Sequence, residues 1–293
     1  MMEKAEPPKP DWLRVRVPDA KRVREVREAV RQSSVKTVCD ASRCPNLGEC
    51  WGHGTATFLL LGEVCTRGCR FCAVTSGDPG GRVDQDEPQR VAKAVGRLGL
   101  GHAVITSVAR DDLEDGGASA FVETVRAIRA VCPSTKVELL VPDFQGEEGP
   151  LRAVALSGAD VLAHNLEVVR RLQPSVRDPR ASYDKSLRAL ERLKHHAPRA
   201  PTKTSLMLGL GESRGEVVEA MRDARRAGAE LLTLGQYLRP KGGALRVERY
   251  VPPEEFAQLR SIALELGFRE VMSGPLVRSS YHAHEMILED QIC

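Results

Sequence analysis

Short apolar runs alternate with amphipathic stretches from residue 57 to residue 266, and this alternation restricts the possible folds more than any other feature of the chain. The apolar runs predict strands over 58–61, 103–108, 137–141, 161–164, 204–208 and 231–234. The other stretches predict helices over 88–98, 118–131, 183–195, 213–227 and 253–266, because their apolar residues recur every three or four positions. Strands and helices that alternate in this way build a parallel sheet with right-handed crossovers.

Two architectures fit such a sheet, namely an open doubly wound sheet and a full or partial barrel. Polar residues follow most of the predicted strands at the point where each strand ends. They lie at 110–111, 143, 164–167, 209–212 and 236–237. Barrel enzymes build their sites at these carboxyl ends, and no Gly-x-Gly-x-x-Gly motif of a dinucleotide fold follows the first strand. The sequence therefore predicts an α/β protein with a partial (β/α)6 TIM-type barrel.

Three regions follow from this pattern. Residues 1–55 form an N-terminal extension, in which the prolines of 1–18 predict a surface arm and residues 19–34 predict a charged helix. Residues 56–268 form the barrel, and residues 269–293 form a C-terminal extension.

The charge of the chain argues against some classes of partner. The 43 basic and 40 acidic residues give a formal charge of +3, so no surface for nucleic acid or membrane is expected. No apolar run reaches the ~20 residues of a membrane span, and the N-terminal residues are charged and proline-rich rather than signal-like. We expect a cytoplasmic protein, and a monomer, because no apolar stripe exceeds what the barrel core needs.

Six of the eight cysteines lie between residues 39 and 72. Disulfides rarely persist in the cytoplasm, so this clustering indicates thiolate ligands. The first predicted strand leads into Cys65, Cys69 and Cys72, and thiolates are the ligands that iron-sulfur clusters require. Three cysteines leave one iron of a four-iron cluster open, and the amino and carboxylate groups of S-adenosylmethionine can chelate that iron. A structural zinc site is the alternative, although zinc sites usually show paired Cys-x2-Cys knuckles and four ligands.

A second set of three cysteines precedes the first. Cys39, Cys44 and Cys50 have no obvious fourth ligand nearby, and a zinc loop remains an alternative because such loops tolerate variable spacing. Their position just before the first set favours a second cluster.

The two cysteine motifs together resemble those of the lipoyl synthase family. Further segments that resemble family motifs lie at 37–51, 56–58, 109–113, 142–144, 164–165, 236–240 and 278–283. The resemblance covers nearly the whole chain. It implies a radical S-adenosylmethionine enzyme that inserts two sulfur atoms at C6 and C8 of a protein-bound N6-octanoyl-lysine. It also implies two [4Fe-4S] clusters, of which the auxiliary cluster is the sulfur donor.

The resemblance further implies that a serine near the C-terminus is the fourth ligand of the auxiliary cluster, so that both extensions carry its ligands. We assign Ser280 and keep Ser279 as the alternative, and Cys132 and Cys293 are competing thiols. An alkoxide matches iron less well than a thiolate does, which suits a cluster that comes apart.

Residues near the strand ends are candidates to bind S-adenosylmethionine. They are Asn165, Glu167, Lys203, Gly209, Gly211 and Gln236. Asn165 and Glu167 can bond the ribose or amino group, Lys203 can bond a carboxylate, and the glycine turn lets the adenine approach the backbone. A salt bridge beside a strand is the alternative role for Glu167 or Lys203.

The implied partners are octanoylated lipoyl carrier domains, such as the glycine-cleavage carrier protein and the acyltransferase subunits of 2-oxoacid dehydrogenases. A flavodoxin or ferredoxin as electron donor and an iron-sulfur carrier protein for cluster repair are also implied. The rival functions are sulfur insertion of the biotin synthase type, methylthiolation of a macromolecule, and a non-enzymatic electron carrier or scaffold.

Overall fold

The fold is described from a computed structural model, which covers residues 7–14, 20–41, 44, 46–240 and 244–286. Most of the predicted N-terminal arm, and Cys293, lie outside these residues. Among the described residues, no helix is long and apolar enough to cross a membrane.

One large sheet organises the chain, with the helices on its outer side. The strands are β1 (Lys36–Thr37), β2 (Thr55–Leu60), β3 (Val64–Cys65), β4 (Thr75–Ser76), β5 (His102–Ser107), β6 (Lys136–Leu140), β7 (Val161–Ala163), β8 (Thr202–Leu208), β9 (Leu231–Gln236) and β10 (Glu270–Gly274). The helices are α1 (Ala20–Gln32), α2 (Val38–Ala41), α3 (Leu47–Gly52), α4 (Glu87–Leu98), α5 (Ala118–Val131), α6 (Glu148–Ala155), α7 (Gln173–Val176), α8 (Tyr183–His196), α9 (Arg214–Arg226) and α10 (Pro253–Glu265). Short 3-10 helices lie at Asp11–Leu13, Phe144–Gly146, Arg170–Leu172 and Ala283–Met286.

The sheet runs in the order β1-β2-β5-β6-β7-β8-β9-β10, and β3 pairs with β4 in a separate small sheet. From β2 to β10 all neighbours are parallel, whereas β1 is antiparallel to β2. Six units, β2-α4, β5-α5, β6-α6, β7-α8, β8-α9 and β9-α10, form the predicted partial barrel, so the predicted fold class is confirmed. A seventh parallel strand, β10, was not predicted, because its apolar run is short and is followed by Gly274 and Pro275.

The two faces of the sheet differ in polarity. On the outer face, residues such as Ala103 and Ile105 pack with the apolar sides of α4 and α5 in a buried core. Alternate positions along the strands place Thr57, Glu138 and Lys203 on the inner face, where all three are buried, together with apolar residues such as Val161 and Leu231. Since successive side chains of a strand point to opposite faces, the barrel has an apolar outer layer and an interior of mixed polarity.

Local signals in the sequence fix several helix ends. Ser213 and Glu216 form a reciprocal capping box at the start of α9, and Ser182 accepts a hydrogen bond from the Lys185 amide at the start of α8. Gly99 ends α4 in the left-handed conformation, with φ of 58°. These caps orient the helices that follow the strands.

The segment after β10 crosses the barrel and covers its open side. The Asn46 side-chain amide donates to the Leu276 carbonyl at 2.5 Å, and Met286 packs inside against Val161 and Leu231. The 3-10 helix Ala283–Met286 contacts both β5 and β10. The crossing is close because Gly235 has no side chain, and a Cβ there would lie 2.1 Å from the Val277 carbonyl oxygen. The C-terminal segment is therefore part of the barrel wall.

We expect Gly235→Ala to lower the free energy of unfolding by ~1–3 kcal/mol, because the added methyl group must push the crossing segment away. Urea unfolding followed by circular dichroism measures the change. Gly149→Ala is the matched control, since Gly149 is exposed in α6 with no atom near the new Cβ. That control should be neutral or more stable by up to ~1 kcal/mol. Equal stability of the two variants would contradict the close crossing.

Candidate active site and auxiliary cysteine pocket

The loop at residues 65–72, here called the cysteine loop, leaves the small β3-β4 sheet at the barrel mouth. Backbone amides donate to each of its sulfur atoms at 3.4 Å: the Arg67 amide to Cys65, the Asp178 amide to Cys69 and the Val74 amide to Cys72. Burial raises the pKa of Cys69, and it raises that of Cys72 to about 11. Amide donors of this kind favour the thiolate form that a metal cluster needs.

The buried side chain of Arg67 fixes the cysteine loop to the barrel. Its guanidinium bonds both oxygens of Asp143 at 2.7 and 2.9 Å and both oxygens of Asp111 at 2.7 and 2.8 Å. Burial works to raise the pKa of Asp143, but the ion pair with Arg67 outweighs it and lowers the pKa. Sequence reasoning missed this role because Arg67 is 44 residues from Asp111 and 76 from Asp143.

A second clamp comes from the loop after β7. The Asp178 carboxylate accepts a hydrogen bond from the Gly68 amide at 2.8 Å, and Arg180 bonds both Asp178 and the Thr66 carbonyl. These residues were not predicted, although they follow a barrel strand at the end where sites form. Together with Arg67 they leave the cysteine loop little freedom.

Of the charged residues after β5, Arg110 is buried, Asp111 is half-buried and Asp112 is exposed. Arg110 is 2% exposed, and it bonds both oxygens of Asp112 at 2.8 Å and the Leu61 carbonyl at 3.3 Å. Their role is to support the barrel mouth.

Asn165 and Glu167 lie beside the cysteine loop, as predicted. The Asn165 amide donates to the Glu167 carboxylate at 3.1 Å, and the charge of that carboxylate acts on both Cys69 and Cys72. Burial raises the pKa of Glu167, while the nearby Arg177 opposes the shift. Glu167 also has a left-handed backbone, with φ of 68°. This carboxylate therefore faces the region where a ligand of the cluster would bind.

Gly209, Gly211 and Gln236 meet at the adjacent corner of the mouth, where β8 and β9 end. Gly209 has φ of 102°, and a Cβ there would lie 2.2 Å from the Gln236 amide nitrogen. The Gln236 amide group donates to the Tyr237 and Arg249 carbonyls and accepts from the Val251 amide. Its side chain is thus engaged with backbone, so Gln236 shapes the glycine turn rather than offering a free side-chain contact.

Lys203 does not join this group. Its ammonium lies at the start of β8 and bonds both oxygens of Glu138 at 2.9 and 3.1 Å, with both side chains almost fully buried. Burial works to raise the pKa of Glu138, but the charge of Lys203 lowers it overall. The His102 ring lies 3.6 Å from the same carboxylate. The geometry therefore places Lys203 in a buried ion pair. The predicted contact between Lys203 and a carboxylate of S-adenosylmethionine is not part of the proposed site.

A second pocket, here called the auxiliary pocket, lies between the N-terminal cysteines and the crossing segment. Cys39, Cys44, Cys50 and Ser280 line it, and Ser279 does not. The Thr57 hydroxyl of β2 donates to the Ser280 oxygen at 2.8 Å. The structure thus brings together four residues that are up to 241 positions apart in the numbering, from Cys39 to Ser280.

Among the described residues that line the buried auxiliary pocket, Arg278 is the one with a positive charge. Burial raises the pKa of Cys39 and Cys44, and it raises that of Cys50 to about 12. The positive charge of Arg278 lowers the pKa of Cys44 and so opposes the effect of burial. Its guanidinium donates hydrogen bonds to the Val277 and Gln236 carbonyls. Such thiols ionise when a metal binds them, and Arg278 compensates the resulting negative charge.

Among the described residues, neither cysteine set places its three sulfur atoms all within 4.8 Å of one another. Tetrahedral zinc with its ~2.3 Å bonds would hold them about 3.8 Å apart, so zinc binding would require these side chains to move together. Cys132 lies elsewhere, packed against Gly96 of α4.

Residues 59–224 match the model of the Radical SAM superfamily. The chain is 56% identical over 282 residues to the lipoyl synthase of Pyrobaculum calidifontis, an alignment that covers 96% of each chain. It is 53% identical over 281 residues to that of Thermus thermophilus, covering 96% of this chain and 87% of the relative. The chain belongs to the lipoyl synthase family. The predicted family is therefore confirmed.

Solved structures related to this lipoyl synthase family member support the fold. The FeFe-hydrogenase maturase HydG from Carboxydothermus hydrogenoformans has a TM-score of 0.58 at 15% identity, covering 90% of this chain and 75% of that one. Methylornithine synthase has a TM-score of 0.57 at 13% identity, covering 85% and 81%. As a radical S-adenosylmethionine enzyme of the lipoyl synthase family, the chain has S-adenosylmethionine and two [4Fe-4S] clusters as its cofactors.

We expect Lys203→Met to lower the free energy of unfolding by ~3–5 kcal/mol, because it leaves the Glu138 carboxylate buried without its partner. Adding Glu138→Leu should restore most of the loss. Lys93→Met, on the exposed side of α4, is the control and should change stability by less than ~0.5 kcal/mol. Urea unfolding measures the free energy of unfolding of each variant, and titration with S-adenosylmethionine measures its affinity for the cofactor. Unchanged stability with lost affinity would return Lys203 to the cofactor site.

Proposed function

We propose that this chain inserts two sulfur atoms at C6 and C8 of an N6-octanoyl-lysine on a carrier domain, giving lipoyl-lysine. The observation that carries the proposal is the auxiliary pocket, in which Ser280 meets Cys39, Cys44 and Cys50 apart from the cysteine loop. When bound, the first cluster supplies the electron that cleaves S-adenosylmethionine to a carbon radical, and the second supplies sulfur. Unactivated C–H bonds give acid-base groups no starting point, so a radical is required.

In this proposal, Cys65, Cys69 and Cys72 hold the first cluster at the barrel mouth. The Arg67 ion pairs and the amide donors to sulfur keep the three thiolates at fixed positions. The Asn165 amide and the Glu167 carboxylate form hydrogen bonds with the ribose or amino group of S-adenosylmethionine. The turn at Gly209 and Gly211 offers backbone to the adenine. These side chains position reactants rather than react, which is the main contribution of protein in cofactor chemistry.

The surroundings of Ser280 in the auxiliary pocket differ from those of an ordinary surface serine. The hydrogen bond from Thr57 favours the charged form of its oxygen, and the nearby Arg278 favours negative charge in the same pocket. An alkoxide remains a harder, less well matched ligand for iron than a thiolate. Such a ligand allows the second cluster to release sulfur while three cysteines keep the remainder in place.

The three-region division of the chain also remains a proposal. Residues 1–55 and 269–293 supply the auxiliary pocket, and residues 56–268 supply the radical site. We further propose octanoylated carrier domains as substrates, a flavodoxin or ferredoxin as electron donor, and an iron-sulfur carrier protein for repair of the second cluster. The cytoplasmic location and the monomeric state stay predictions.

A single-turnover experiment tests the reaction. The anaerobic, reduced enzyme is mixed with S-adenosylmethionine and an octanoylated carrier domain, and the mass of the domain is then measured by mass spectrometry. We expect a gain equal to two sulfur atoms for the dithiol product, which falls by two hydrogen atoms once air oxidation closes the disulfide, together with methionine and 5′-deoxyadenosine. Cleavage of S-adenosylmethionine without any mass gain would contradict the substrate.

A pair of serine variants tests the ligand set. We expect Ser280→Ala to abolish sulfur insertion while S-adenosylmethionine cleavage continues, because only the second cluster loses a ligand. Ser279→Ala is the matched control and should retain activity. Iron and sulfide analysis should give about eight of each per chain in the parent protein. Zinc in place of iron, or full activity of Ser280→Ala, would refute this ligand set.

A further inference from the structure

A group of imidazoles and carboxylates lies just outside the auxiliary pocket, at the end of the crossing segment. We propose that His282, His284 and Glu285 bind a divalent transition-metal cation, such as Zn²⁺, which is separate from both iron-sulfur clusters. His53 stands next to them and is the candidate fourth ligand. This proposal does not depend on the proposed sulfur insertion.

The distances between the ligand atoms support such a site. Among the described residues, His282, His284 and Glu285 are the set whose ligand atoms, one from each side chain, all lie within 4.8 Å of one another. The Glu285 carboxylate is 2.5 Å from Nδ1 of His282 and 3.7 Å from Nε2 of His284. The His53 ring centroid lies 5.4 Å from that of His282 and 6.1 Å from that of His284. Small rotations of these side chains suffice to surround one ion.

Each imidazole already has one ring nitrogen held by the protein. Nδ1 of His284 faces the Thr55 hydroxyl at 3.1 Å, and Nδ1 of His53 faces the Glu49 carbonyl at 2.9 Å. Nε2 of His282 faces the Glu49 carboxylate at 3.2 Å. Metal-binding histidines characteristically use their second nitrogen in this way, because the outer bond fixes the ring and its tautomer. Among the described residues, Nε2 of His284 and Nε2 of His53 make no hydrogen bond, whereas Nδ1 of His282 bonds the Glu285 carboxylate at 2.5 Å and would exchange that bond for the ion.

The donor set determines the class of cation. Two or three imidazoles with one carboxylate suit Zn²⁺ and similar ions, whereas Mg²⁺ and Ca²⁺ prefer oxygen ligands alone. The side chains of His282, His284 and Glu285 are 13%, 32% and 50% exposed, so an ion can reach them from solvent. A bound cation would join the crossing segment to the region of α3. It would therefore hold Ser280 and Cys50 in their relative positions.

Zinc binding to the anaerobic holoenzyme tests the site, since its cysteines are then occupied by iron. Isothermal titration with Zn²⁺, followed by metal analysis after gel filtration, should give one zinc per chain with unchanged iron content. We expect His284→Asn to weaken zinc binding at least 10-fold. His284→Cys should keep the affinity within a few-fold, because a thiolate is also a zinc ligand.

The matched control is His195→Asn combined with His196→Asn. These two residues also place adjacent imidazoles beside a carboxylate, with His196 2.5 Å from Glu148, but without the held second nitrogens of the proposed site. The control should bind zinc as the parent does. No zinc uptake by the parent, parental affinity in His284→Asn, or an equal loss in the control would overturn the proposal.

Discussion

The double ion pair of Arg67 is the interaction on which the arrangement of the mouth depends. The cysteine loop leaves a sheet of two short strands, and its apolar contacts with the core come from partly buried side chains such as Cys65 and Phe71. Arg67 connects this loop to Asp111 after β5 and to Asp143 after β6. In a buried setting the guanidinium and both carboxylates need each other, since breaking such a pair leaves an uncompensated charge. The position of the three thiols thus depends on these buried ion pairs in addition to the packing of the loop.

Strand β2 relates the two cysteine sites to each other. Its inner residue Thr57 contacts Ser280 in the auxiliary pocket, and its carboxyl end leads toward the cysteine loop. A strand rises about 3.3 Å per residue, so Thr57 and Leu60 are separated by about 10 Å of rigid backbone. β2 is buried along its whole length and pairs with β5 in register. The spacing between the two sites is therefore fixed along a buried, fully paired strand.

The parts of the site that are local in sequence could be predicted from the residues themselves, whereas a distant partner such as Ser280 was expected only from the family resemblance. Both cysteine motifs are short, and their spacing directly indicated thiolate ligands. For Lys203 the sequence left a cofactor contact and a salt bridge open, because nothing near it in the sequence identifies Glu138, which is 65 residues away, as its partner. The role of Arg67 was missed for the same reason, because its partners Asp111 and Asp143 are far from it in the sequence. In the fold, periodicity identified six strands, whereas β10 is defined by its pairing with β9 and by the crossing segment after it.

The long separation between the two halves of the auxiliary pocket has a consequence for the order of biosynthesis. Thr57 and Ser280 are 223 residues apart. At ~5–20 residues per second, a ribosome needs roughly 10–45 s to synthesise the intervening chain. During that time Cys39, Cys44 and Cys50 have emerged without the serine that completes their pocket. The partners of the cysteine loop at Asp111, Asp143 and Asp178 emerge earlier, so the cysteine loop acquires its supports first and the auxiliary pocket is completed last.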